Sequence, residues 1–139
     1  MSISKLVPAV ALVLIAVQPS AARTQTDEQP PKFAGLASAT TCVPGPIGDG
    51  RTTSYTLRWE PASDNVTRSK KIVYDVYQAS APGGEDFAAP TYTTAAGVIS
   101  FFTPPLPADS AVYFVVRARD KAGNRDSNMV ERQGQNLCV

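Results

Sequence analysis

Side-chain alternation between residues 106 and 128 (LPADSAVYFVVRARDKAGNRDSN) constrains the fold of this chain more than any other feature. Val112, Phe114, Val116 and Ala118 alternate with Tyr113, Val115, Arg117 and Arg119. A strand turns successive side chains to opposite faces, so the first set faces a core and the second faces away from it. The following run, Asp120-Lys121-Ala122-Gly123-Asn124, is made of residues suited to left-handed turn positions and predicts a hairpin into a further strand. Residues 54–60 (SYTLRWE) alternate in the same way, with Tyr55, Leu57 and Trp59 on one face. Residues 71–77 (KIVYDVY) place Ile72, Tyr74 and Val76 inward. No stretch sustains a 3.6-residue period, and twelve prolines and nine glycines separate the short runs. The pattern is that of an all-β sandwich and not of a helical fold.

These segments resemble bacterial fibronectin type III domains. The family commonly carries L-x-P-x-T-x-Y-x-F-x-V-x-A-x-D-x-A-G-N, which residues 106–124 match in part. Trp59 stands at the family's core tryptophan, followed by a polar loop (PASDN), and Phe101 and Leu106 hold its anchor positions around strand E. The likeness covers roughly residues 31–133 and implies an immunoglobulin-like sandwich of about seven antiparallel strands. Two positions depart from the pattern. The inward tyrosine of the family's tyrosine corner falls at Val112, with Tyr113 pointing the other way, so the corner is either replaced or shifted by one residue. Thr103 stands where an aliphatic residue is usual.

The N-terminus reads as a signal peptide over residues 1–22, with Lys5, an apolar stretch at 6–17 and small residues at Ser20-Ala21-Ala22. That apolar stretch is shorter than the about 20 residues needed to span a bilayer. A secreted or periplasmic protein is expected, with a polar leader at 23–31 and one β-sandwich domain at 32–139. The leader, without apolar periodicity, is expected to be loose. A formal charge of +1 gives no electrostatic reason to expect nucleic acid or an anionic membrane as partner, and no membrane insertion is expected after cleavage. In an exported chain Cys42 and Cys138 are expected to form a disulfide, since they follow strands A and G, which end at the same pole. The alternatives are two free thiols or a metal pair, and two cysteines without histidine make a poor zinc site.

The chain contains no histidine, which removes Ser-His-Asp and Cys-His nucleophilic sites and imidazole bases together. No C-x-x-C and no phosphate-cradling glycine motif is present. The chain reads as a non-enzyme without a cofactor, its carboxylates being solvated loop residues. Three places remain for contacts. The first is the pole of the B–C and F–G loops, with Asp64, Asn65, Asp120, Asn124 and Asp126, and Asn128 beyond them. Its oxygens suit calcium, but Arg68, Lys70, Lys71, Lys121 and Arg125 oppose a divalent ion, and turn-forming roles explain the residues without a metal. The second is the outward face of the C–F sheet. There Val73, Tyr77, Tyr113, Val115 and Arg117 are either an interface patch beside an Asp–Arg pair or ordinary cross-strand pairing. Phe102 is expected as a lone exposed aromatic on the other sheet. The third, Asn65-Val66-Thr67, matches a glycosylation sequon by coincidence.

The resemblance implies a secreted binding module that contacts an unspecified protein or glycan. A structural spacer, a self-assembling surface protein and a carboxylate-based hydrolase accessory (Asp64, Asp120) are the alternatives. Oligomeric state is left open.

Overall fold

The computed structural model describes residues 26–42 and 51–137. The expected signal segment 1–22, leader residues 23–25, residues 43–50, Cys138 and Val139 lie outside the described residues. The architecture is all-β. Its strands are β1 (Leu36–Thr41), β2 (Thr52–Thr53), β3 (Thr56–Trp59), β4 (Val73–Ala79), β5 (Tyr92–Thr93), β6 (Ser100–Phe102), β7 (Leu106–Pro107), β8 (Tyr113–Arg119), β9 (Glu131–Gln133) and β10 (Gln135–Asn136). One 3-10 turn at Ser69–Lys71 is the sole helical element among the described residues. One sheet has the order β10-β1-β3-β6, the other β5-β4-β8-β9, and β2 pairs with β7 as a separate ribbon. All pairings are antiparallel except β1 with β10, which is parallel.

The core forms where the two alternating patterns meet. Leu36 and Ala39 of β1 and Leu57 and Trp59 of β3 face Tyr74 and Val76 of β4 and Phe114, Val116 and Ala118 of β8. All are buried, as the alternation predicts. The aromatic rings interlock at tilted angles, Trp59 and Phe33 each 5.2 Å from Tyr74 and Tyr55 5.8 Å from Phe114. The Tyr74 hydroxyl accepts the Ala62 N–H at 2.8 Å, so this core ring also fastens the loop after β3.

Val112 and Thr103, the two positions that depart from the expected pattern, are both buried. Val112 is buried and Tyr113 is only half-buried, so the inward side chain at this point is valine and the alternation keeps its register. Thr103 is buried because its hydroxyl accepts the Tyr55 N–H at 2.9 Å, while its own N–H donates to the Tyr55 carbonyl. An aliphatic residue there would leave a buried donor unpaired. In the β8–β9 connection only Gly123 takes left-handed backbone (φ 99°), which frees Asp120 and Asn124 for other work. Gly35 (φ 86°) is required for a different reason, since a Cβ there would sit 2.6 Å from the Val130 Cβ.

Candidate functional site

The outward face of β4 and β8 is not the exposed patch that alternation suggests. Tyr77 and Val115 are each 1% exposed and Asp75 is fully buried, while Val73, Tyr113 and Arg117 are half-buried. The cause is the segment at 80–90, which folds back across this face. Phe87 from that segment packs on Tyr77 at 5.0 Å, and the Arg117 guanidinium lies 3.7 Å above the Phe87 ring. Glu85 is buried in the same layer. Burial pushes its carboxyl above the ordinary range, and the neighbouring Glu131 charge adds to the rise. Phe87, a single aromatic in a run of Gly, Asp and Ala, is the one local signal for this cover.

Asp75, on the same face of β4 as Tyr77, is buried with a complete set of partners. Arg125 Nε reaches it at 2.7 Å, Arg119 Nε at 2.9 Å, and the Thr93 hydroxyl donates at 2.7 Å. Burial raises its pKa, but the Arg119 and Thr93 hydrogen bonds and the two guanidinium charges outweigh it and hold the carboxyl below the aspartate range. The Asp–Arg pair beside the patch is thus a triad around a buried carboxylate, and it withdraws Arg125 from the loop pole.

At the loop pole the structure assembles a residue that periodicity does not mark. Asp64 Oδ2 accepts the N–H groups of Val66 and Thr67, forming the turn after β3. The Thr67 hydroxyl accepts the Lys121 N–H at 3.2 Å and ties that turn to the β8–β9 loop. Asp120 is buried, and its two oxygens accept the Asn124 N–H and side-chain amide at 2.8 Å each. The same amide donates to the main-chain carbonyl of Asp27 at 2.9 Å. The leader is therefore not loose at this point. An antiparallel bridge between Lys32 and Ser63 continues its attachment. As a result the carboxylate oxygens of Asp27, Asp64 and Asp120 lie within 4.8 Å of one another.

The other predicted pole residues divide. Asn65 is exposed. Asp126 turns inward, accepting N–H groups of Ala118 and Asn128, and Asn128 donates to the Val116 carbonyl, so both serve the β8–β9 connection. Beside Asp27 a groove of about 440 Å³ runs between the two loops, with Arg68, Lys71 and Lys121 on its rim and Val66, 66% exposed, on its wall. Nothing local in the sequence distinguishes Asp27 from the rest of a polar leader. Its role arises from a contact with Asn124, 97 residues away.

Comparison of the chain with protein-family models, with curated proteins and with solved structures found no match.

Proposed function

We propose that this chain is an exported, non-catalytic module of the fibronectin type III-like kind that contacts a protein or polysaccharide through its loop pole. The observation that carries the reading is the groove at that pole. Its walls are fixed by hydrogen bonds that Asp64 and Thr67 accept and Asn124 donates, and its rim presents three cations beside an exposed apolar side chain. Binding residues on fixed loops lose little conformational freedom when a partner arrives. The sheet face is a poorer surface, since the 80–90 segment already occupies it. The absence of histidine and the engagement of Asp75 and Asp126 in structural bonds support a role in contact and not in turnover.

Two further features belong to this reading, a cleaved signal over residues 1–22 and a Cys42–Cys138 disulfide. The parallel pairing of β1 with β10 supports the second. Thr41 is opposite Asn136, and the Leu137 N–H donates to the Thr41 carbonyl at 3.0 Å.

The rim cations favour acidic groups on the partner. Binding to a panel of acidic polysaccharides and acidic cell-surface proteins is expected to weaken at least about tenfold in a K71E/K121E variant, with an unchanged melting temperature. Unaltered binding would place the contact elsewhere. A second reading, self-assembly, is favoured by the edge position of β6, where Ile99 is 49% and Phe102 68% exposed. It predicts concentration-dependent sedimentation that F102S abolishes.

A further inference from the structure

We infer that Asp27, Asp64 and Asp120 form a calcium site that clamps the leader to the loop pole. Three carboxylates whose oxygens approach within 4.8 Å repel one another. Among the described residues no arginine or lysine forms an ion pair with any of them, whereas buried Asp75 has two. A second observation is independent of the clustering. Asp27 Oδ2 and Asp64 Oδ1 are both shut off from solvent and accept no hydrogen bond. Carboxylate oxygens deprived of water and of every donor are costly, and two of them in one cluster share a missing partner. A cation placed among them satisfies both and offsets the repulsion.

The donors are all hard oxygens, and separations of no more than 4.8 Å let all three reach one ion at about 2.3–2.6 Å. Calcium tolerates such an irregular shell, while magnesium demands a near-ideal octahedron at about 2.0–2.1 Å. Asp120 is held in place by Asn124, whose amide also reaches the Asp27 carbonyl, so the site is ordered before the ion arrives. In the sequence, five cations (Arg68, Lys70, Lys71, Lys121 and Arg125) stand against Asp64, Asp120 and Asp126. Asp27 takes the place of Asp126, Arg125 is engaged by Asp75, and Arg68, Lys71 and Lys121 line the adjoining groove without an ion pair to the three carboxylates among the described residues. Calcium binding at these three carboxylates is independent of the identity of the partner.

The test is titration of the EDTA-treated protein with calcium chloride, followed by calorimetry and by thermal melting. The expected result is one saturable event with a dissociation constant of about 10⁻⁴–10⁻³ M, the range of extracellular modules. The melting temperature should rise by several degrees at about 10 mM calcium and much less with equal magnesium. Asp27→Asn is the decisive variant, because the Asp27 side chain accepts only the Gln29 N–H and its loss leaves the sandwich intact. It should weaken calcium binding at least about tenfold with the metal-free melting temperature unchanged. Asp64→Asn, which keeps an oxygen for its turn, should do the same. Absence of a saturable event in the parent protein, or parental calcium affinity in both variants, would overturn the site.

Discussion

At the scale of single residues, burial sets the cost of each charge, and Asp75 shows how that cost is met. The side chain is fully buried, but three donors surround it, two of them guanidinium groups that are only partly covered. Removing the carboxylate leaves those guanidinium groups some access to water, which moderates the penalty. Asp75→Ala should destabilise the fold by about 2–3 kcal/mol, less than the about 3–5 kcal/mol of stranding a fully buried charge. The pH dependence follows from the same contacts. The folded pKa lies below the unfolded value of about 3.9, so the folded state holds its proton more weakly. The triad's contribution is therefore complete above that value and is lost as pH falls through the lower folded value. Melting curves between pH 2 and 7 should show a decline below about pH 4 that is shallower in Asp75→Asn. Identical slopes would place the acid sensitivity in other carboxylates.

At the scale of elements, the 80–90 segment decides what the second sheet presents to solvent. It has no strand of its own and is held by side chains, chiefly Phe87 between Tyr77 and Arg117, with the Gly83 N–H donating to Glu131 of β9 at 2.6 Å. Phe87→Ala removes the ring on which both neighbours rest. A loss of about 1–3 kcal/mol is expected, below the usual core value because Phe87 is itself half-buried. Tyr77 should become accessible to a fluorescence quencher while the far-ultraviolet circular dichroism stays the same. A quencher that still fails to reach Tyr77 would show that the segment is held without its aromatic anchor. This element also marks the boundary of what periodicity can say. Alternation assigns Tyr55, Leu57 and Trp59, Ile72, Tyr74 and Val76, and Val112, Phe114, Val116 and Ala118 to one core, because two chemically unequal faces fix a strand's orientation. It is silent on what lies over the opposite face, since covering depends on a loop whose path is set by side-chain contacts with Tyr77, Arg117 and Glu131. Asp27 escapes notice for the same reason, its partners being distant in the chain.

At the scale of the whole molecule, the two ends of the sandwich meet where β10 joins β1. That junction is short. The strand has two residues, both exposed, and its register rests on Thr40 opposite Gln135 and Thr41 opposite Asn136. A two-residue edge strand contributes little burial, so the chain end would separate readily if backbone hydrogen bonds alone held it. Cys42 follows Thr41 directly and Cys138 follows Leu137, whose N–H already bonds the Thr41 carbonyl. The proposed bridge closes a loop of about 97 residues and restricts the unfolded chain by about 4–5 kcal/mol in the chain-entropy model. For a domain of this size that corresponds to a melting temperature lower by about 15–25 °C after reduction. The oxidised protein should also weigh about 2 Da less than the reduced one, and Cys42→Ala should melt with the reduced protein irrespective of added reductant. A parent protein whose mass and melting temperature do not respond to reductant would leave the last strand held by its backbone bonds and by the Gly134 N–H, which donates to the Val112 carbonyl at 2.8 Å. In that case truncation after Gln133 should cost no more than about 1–2 kcal/mol, whereas a bridged molecule would lose the full amount.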